Sequence, residues 1–197
     1  MYKPIYLLTA ALLAPLASAL GQSLTTKGTR TLGIASSDSY YSSNSYSSNL
    51  NLSVTPSVGK FFADNWALGV AAPVSYHYQG YKEDDRRRHG ILLGLSPWLR
   101  YYIPSESRHR FFAEAQTGVL ADINWGRQPM YDPLGNGRTE KYSGTDFIYL
   151  ASLGAGYTYF LTPNIRLEGQ LNYGIGITNI TSGALSLSIG LRAYLGQ

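Results

Sequence analysis

From Leu185 to Leu195 the chain alternates without a break. Leu185, Leu187, Ile189, Leu191, Ala193 and Leu195 are apolar, and Ser186, Ser188, Gly190, Arg192 and Tyr194 stand between them. A period of two puts the first set on one face of a β-strand and the second on the other. The pattern recurs in about eight segments, at 27–35, 50–62, 66–79, 89–103, 110–125, 146–161, 165–178 and 184–195. No long stretch keeps a helical period of about 3.6 residues. Most segments reach or exceed the roughly 9–11 residues that a tilted strand needs to cross a bilayer. They exceed the roughly 5–6 residues of an ordinary globular strand.

The connections alternate in length. "FADNW" (62–66), "PSESRH" (104–109) and "TPN" (162–164) are short, and "NITSG" (179–183) is nearly so. "SSDSYYSSNSYSSN" (36–49), "GYKEDDRRR" (80–88) and "GRQPMYDPLGNGRTEKYSG" (126–144) are longer and polar. This is the sequence form of an all-β, eight-stranded antiparallel up-and-down barrel, with tight turns at one rim and loops at the other. An even strand count returns both termini to the tight-turn rim. The Ser-rich connection has eight Ser, three Tyr, two Asn and one Asp in fourteen residues, and is read as a solvated, flexible loop.

Ahead of the barrel, residues 1–19 read as a cleaved secretory signal, leaving 20–197 as one domain. Lys3 precedes an apolar core from Ile5 to Leu16, and Ala17-Ser18-Ala19 is an A-x-A site. The apolar run is too short for a spanning helix, which takes about 20 residues. The chain has no cysteine, which excludes disulfides and cysteine-based metal sites. The basic residues are dispersed apart from one short cluster, so no nucleic-acid footprint is expected.

Periodicity alone does not say which face is inside. The composition of the polar face does. In 165–177 the face opposite the aliphatics carries Arg166, Glu168, Gln170, Asn172, Gly174 and Gly176. Gly, Ser, Asn and Gln with sparse, sign-matched charges suit the crowded interior of a small barrel, not a solvated surface. The apolar set then faces lipid. A hairpin reflected about Ser107 sets Arg100 opposite Glu114, and one reflected about Ile180 sets Glu168 opposite Arg192, with Arg166 alongside. Two structural ion-pair clusters inside the barrel are expected. An Arg on the lipid face instead would cost roughly 2–4 kcal/mol at mid-bilayer.

Aromatics on the apolar face fall into two bands. Phe62, Trp66, Tyr101, Phe111, Tyr157 and Tyr159 lie near the short turns, and Tyr76, Tyr78, Trp125, Phe147 and Tyr149 near the long loops. Two such bands match the girdles at the membrane interfaces. Lys60, close to the short-turn rim, can snorkel to headgroups.

"PSVGKFFADNWALGV" (56–70), "PWLRYYIP" (97–104) before "RFFAEAQTGV" (110–119), and "GAGYTYFLTPNIRLEGQLNYG" (154–174) resemble the small outer-membrane β-barrels of Gram-negative bacteria, of the OmpX-like and OmpA-like kind. The resemblance covers essentially the whole mature chain. It implies an eight-stranded barrel placed in the outer membrane by the barrel-assembly machinery, surrounded by outer-membrane lipid and lipopolysaccharide. Both termini would be periplasmic and the long loops extracellular. Such barrels typically end in an aromatic residue, whereas this chain ends Leu195-Gly196-Gln197, with Tyr194 as a partial substitute.

The chemistry of enzymes is thin. "GAG" (154–156) lies mid-strand with no helix after it, so it is no phosphate loop. His77, His89 and His109 lack metal-ligand spacing, and no cofactor or metal is expected. Ser75 and His77 share a face, with Glu83, Asp84 and Asp85 nearby, which leaves a lipid-modifying enzyme as an alternative. Arg86, Arg87 and Arg88 are candidates for contact with lipopolysaccharide phosphates. Eight strands leave no wide pore. The expected role is a non-enzymatic, monomeric barrel, structural or binding through its loops. The second alternative is a conduit for a small hydrophobic molecule.

Overall fold

The computed structural model describes residues 25–83, 86–105, 107–131, 137–176 and 183–196. The proposed signal, residues 1–19, lies outside them. Among the described residues ten strands follow one another: β1 (Arg30–Ser37), β2 (Tyr40–Ser43), β3 (Ser47–Ala63), β4 (Trp66–Ala71), β5 (Val74–Tyr81), β6 (Arg87–Tyr102), β7 (His109–Tyr131), β8 (Gly137–Phe160), β9 (Ile165–Gly176) and β10 (Gly183–Leu195). All pairs are antiparallel, and each strand pairs with its chain neighbour apart from β1–β2 and β4–β5. β1 pairs with β3 on one side and with β10 on the other, which closes the sheet. β4 and β5 both lie between β3 and β6 and count as one staff, so the ring has eight members.

The division of the third segment has a local cause. Pro73 has no N–H to give the ladder, and the chain breaks at Ala72–Pro73. Pro97 lies on the neighbouring β6, where the β6–β7 ladder skips from Leu95 to Trp98 and resumes in the same register.

The faces are inside out for a soluble protein. Leu171, Leu187 and Ile189 are 52–60% exposed, whereas Arg100, Arg166 and Arg192 are at most 6% exposed. Large aliphatic residues on every staff face outward, and the buried set is mostly charged, aromatic, hydroxyl or amide, with Ala67, Ala71, Leu120 and Ile165 its aliphatic members. A water-soluble barrel buries its aliphatic face and solvates its charges.

Three expectations about the connections are corrected. Residues 126–144 are not a loop: β7 and β8 continue as a paired hairpin to Tyr131↔Gly137, roughly 20 Å beyond Trp125 at about 3.4 Å per residue. Both faces of this hairpin are in water, so selection leaves no apolar alternation to read. The Ser-rich stretch is not a featureless loop either. β2 pairs with the start of β3, and Asn44 makes the turn, its Oδ1 accepting from the N–H groups of Tyr46 (2.9 Å) and Ser47 (2.8 Å). Finally, the β9–β10 register is two positions from the one expected. Arg192 lies opposite Arg166, and Glu168 opposite Gly190. A shift of two leaves every side chain on its predicted face.

The short-turn rim is closed by chain before β1. Thr25 is 1% exposed, donates to Asn65 Oδ1 (2.9 Å) and accepts from Arg110, while Gly28 N–H donates to the Phe61 carbonyl (2.8 Å). Above it lies an aromatic layer of Phe61, Tyr102, Phe112 and Tyr194, each at most 2% exposed.

Candidate functional site: an ion-paired floor under an open cavity

The inward faces of β6, β7, β9 and β10 converge at mid-barrel. Arg100 on β6 reaches its hairpin partner Glu114 (Nε–Oε2, 2.7 Å) and crosses the lumen to Glu168 on β9 (Nη1–Oε2, 2.7 Å). Arg192 on β10 donates to the same Glu168 oxygen (Nε–Oε2, 3.0 Å). Gln170 joins the two halves, accepting from Arg100 Nη2 (3.2 Å) and donating to Glu114 Oε1 (2.9 Å). The guanidinium of Arg100 also lies 3.9 Å from the Phe112 ring centre and donates to Tyr102 Oη (3.1 Å).

The geometry departs from the expected pairing in two ways. The two anticipated clusters are one network, because Arg100 spans the lumen, which hairpin arithmetic does not reveal. Arg166 is not part of it. It lies one layer nearer the short turns, stacked between Phe160 and Tyr194 at 3.6 Å from each ring centre, and none of its guanidinium nitrogens has a hydrogen-bond partner. Two arginines directly opposite one another, Arg166 and Arg192, divide the lumen between them: Arg192 takes the carboxylate and Arg166 the aromatic faces.

Trp98 completes the floor. Its ring lies over Gly59 and Gly69, where a Cβ would stand 2.5 Å and 2.2 Å from ring carbons. Inward glycines on β3 and β4 therefore make the space for an inward tryptophan on β6, which neighbours β4. Above this floor is a cavity of about 430 Å³. Ser53, Ser75, Gln116, Ser152, Asn172 and Ser188 line its walls, Leu92, Leu120 and Leu150 form an apolar stripe, and Ser37, Asp38 and Asn51 stand at its mouth on the long-loop side.

The remaining candidates sit as follows. His77 faces inward and its Nε2 is 3.1 Å from Asn124 Oδ1, while Arg88 Nη2 donates to the same oxygen (3.3 Å). No hydrogen bond joins His77 to Ser75, and Asp84 and Asp85 lie outside the described residues. Arg86, Arg87 and Arg88 do not form one patch. Arg86 lies over the Tyr81 ring (5.1 Å), Arg88 turns to Asn124, and Arg87 is in register with Arg127 and Lys141 across β6, β7 and β8. Among the described residues no group of three or more His, Asp or Glu side chains is placed to hold a metal ion.

At the short-turn rim Trp66 packs on Tyr101 (4.7 Å between ring centres) and Phe62 (6.5 Å), and Phe111 on Tyr157 (5.4 Å), with Tyr159 against His109 (5.1 Å). At the other rim Phe147 and Tyr149 are more than half exposed. Sequence reasoning missed His89, which it placed beside a loop. His89 stacks on Trp125 (5.6 Å, 7° between planes), meets Tyr78 (4.9 Å) and has Nδ1 2.9 Å from Tyr76 Oη. The signal was its position opposite Trp125, visible only once the β6–β7 register is known.

Fold and site together define a class: a closed eight-membered up-and-down barrel with an aliphatic exterior, aromatic rims and a charged, self-paired interior. No protein-family model matches the chain, and no curated protein matches it. Among solved structures it is similar to Neisserial surface protein A (16% identity, 84% of this chain and 95% of that one, TM-score 0.41). It is also similar to Ail, the attachment invasion locus protein of Yersinia pestis (14% identity, 86% and 99%, TM-score 0.44). A third is the translocator domain of the autotransporter NalP from Neisseria meningitidis (8% identity, 85% and 88%, TM-score 0.37).

Proposed function

We propose that the chain is an integral outer-membrane barrel of Gram-negative bacteria, of the small OmpX-like and OmpA-like kind. Its role is non-enzymatic: it holds two ordered hairpins outside the cell for binding. The observation that carries this is the aliphatic exterior between two aromatic rims, around an interior that buries four arginines. Only a surrounding of lipid makes that distribution favourable. The short-turn rim and both chain ends are then periplasmic. Phe62, Trp66, Tyr101, Phe111, Tyr157 and Tyr159 mark the inner interface, and Tyr76, Tyr78, Trp125, Phe147 and Tyr149 the outer one. Arg87, Arg127 and Lys141, level with one another just beyond Trp125, stand at the height of lipopolysaccharide phosphates.

The β2–β3 hairpin supports the binding role. Tyr40, Tyr41 and Tyr46 are 56–69% exposed on a short, hydrogen-bonded ladder of Ser and Asn. Tyrosine presents a large contact area with few rotatable bonds, and Ser and Asn supply adaptable hydrogen bonds, the combination used by antibody loops. A through-channel is disfavoured, since the ion-paired floor and the aromatic layer lie in series across the lumen. The enzyme alternative is disfavoured by the turn of His77 to Asn124.

Because the chain has no cysteine, topology can be tested by single replacements. Tyr41→Cys and Met130→Cys should react with a membrane-impermeant maleimide on intact cells. Ser107→Cys should react only after the outer membrane is opened. Labelling of Ser107→Cys on intact cells, or of none of the three, would sink the reading.

A further inference from the structure

We infer that the mid-barrel cavity takes a single hydrocarbon chain, which enters sideways from the outer leaflet through a seam between β1 and β10. That the seam faces hydrocarbon rests on the barrel reading; the seam and the cavity do not. The β1–β10 ladder stops at Ser37↔Ser188, and the β1–β3 ladder at Ala35↔Thr55. The chain then turns at Asp38 (φ 51°) into β2, which pairs with β3. Among the described residues no strand pairs with Gly183–Leu187 on the side away from β9. An unpaired edge at membrane depth persists only where it is covered by protein or borders a cavity. This one borders the cavity. Ala184 and Ser186 line it on one bank of the seam, and Ser37 and Asp38 on the other. Outside, Leu185 and Leu187 (68% and 60% exposed) flank the seam, so its outer mouth opens among lipid-facing side chains.

The lining says what enters. Most of its accessible surface is apolar. Leu92, Leu120 and Leu150 project inward from β6, β7 and β8, the wall across the ring from the seam. Leucines that face water alone are unfavourable, and a hydrocarbon chain laid against them removes that cost. Counted along the inward positions from the ion-paired floor, Ser186 is third above Arg192 and Leu120 third above Glu114, so the seam and the leucines stand at one level. Below them Gln116, Asn172 and Ser188 keep the space over the floor wet. The volume of about 430 Å³ falls within the roughly 300–1,000 Å³ of small-molecule sites. The floor closes the lower end, so the chain is held and not passed. Asp38 at the mouth opposes an anionic head group, which favours a neutral or zwitterionic one.

The test uses the full chain, deuterated except for ¹³C-labelled leucine methyl groups, in phosphatidylcholine nanodiscs. Leu92→Ile, Leu120→Ile, Leu150→Ile and Leu187→Ile assign the signals. In one arm the lipid carries protonated chains; in the other the lipid is deuterated and protonated 1-dodecanol is added. Cross-relaxation from chain methylene protons to the methyl groups of Leu92, Leu120 and Leu150 is expected in the first arm for a lipid tail, and in the second alone for a free amphiphile. Ser186→Phe, which fills the seam, should abolish it while Leu187 keeps its contact with lipid and the barrel keeps its heat-dependent gel shift. No cross-relaxation at the three inward leucines in either arm, with Leu187 in contact with lipid, overturns the inference alone. So does cross-relaxation that Ser186→Phe leaves unchanged. A Leu187 methyl without lipid contact would overturn the barrel reading, and this inference with it.

Discussion

Replacing Glu168 by glutamine removes one negative charge that two buried guanidiniums share. Its Oε2 accepts from Arg100 at 2.7 Å and from Arg192 at 3.0 Å, and the side chains of the two arginines are 3% and 7% exposed. Arg100 keeps Glu114, but Arg192 is left with a long contact to Thr31 (3.5 Å) and the Trp98 ring, 5.2 Å away. Breaking a buried pair on one side costs about 3–5 kcal/mol, because the remaining charge stays desolvated. The cavity directly above lets water reach the floor, so the lower figure, about 3 kcal/mol, is expected. At about 1–3 kcal/mol per molar urea, the unfolding midpoint should fall by about 1–3 M. The assay is urea unfolding of the barrel refolded into phosphatidylcholine vesicles, followed by tryptophan fluorescence. Glu114→Gln is the control. It leaves Arg100 its bond to Glu168, so it should cost distinctly less. A Glu168→Gln variant within about 1 kcal/mol of the parent, or a Glu114→Gln variant equally damaging, would refute the idea that Glu168 is the hub of the floor.

Two further outcomes follow from the interior. Gly69→Val places a Cβ 2.2 Å from both the Trp98 ring and the Val58 carbonyl, and should destabilise by about 1–3 kcal/mol in the same urea assay. Arg166→Met should change stability by less than about 1 kcal/mol, since it replaces a charge that makes no hydrogen bond with an apolar chain of similar length, whereas Arg192→Met leaves Glu168 short of a partner and should cost more. Equal penalties for Arg166→Met and Arg192→Met in that assay would show that the two arginines do not play different parts.

The barrel was legible because a sheet with unlike sides writes its period into the chain. The strands from Val58 to Val70 and from Leu185 to Leu195 alternate as read, and Arg100 meets Glu114 because a tight turn fixes their register. The sequence was silent where nothing separates two faces. The β7–β8 hairpin beyond Trp125 stands in water on both sides, so its pairing through Pro129↔Thr139 leaves no pattern. Contacts across the lumen were illegible for another reason. Arg100 and Glu168 are brought together by curvature and closure of the whole ring, not by any one hairpin. Stacking of Arg166 on Phe160 and Tyr194 has the same origin. The cavity is legible only after the inward glycines and Trp98 have been placed.

The central claim is that the polar face of each strand points into the barrel and the apolar face into lipid. Nitroxide labels placed one at a time at Leu185, Ser186, Leu187, Ser188 and Ile189, in vesicles, measure this directly. Labels at 185, 187 and 189 should collide readily with molecular oxygen, which concentrates in lipid, and poorly with a water-soluble nickel chelate. Labels at 186 and 188 should show little collision with oxygen. The opposite alternation, or none, would contradict the account.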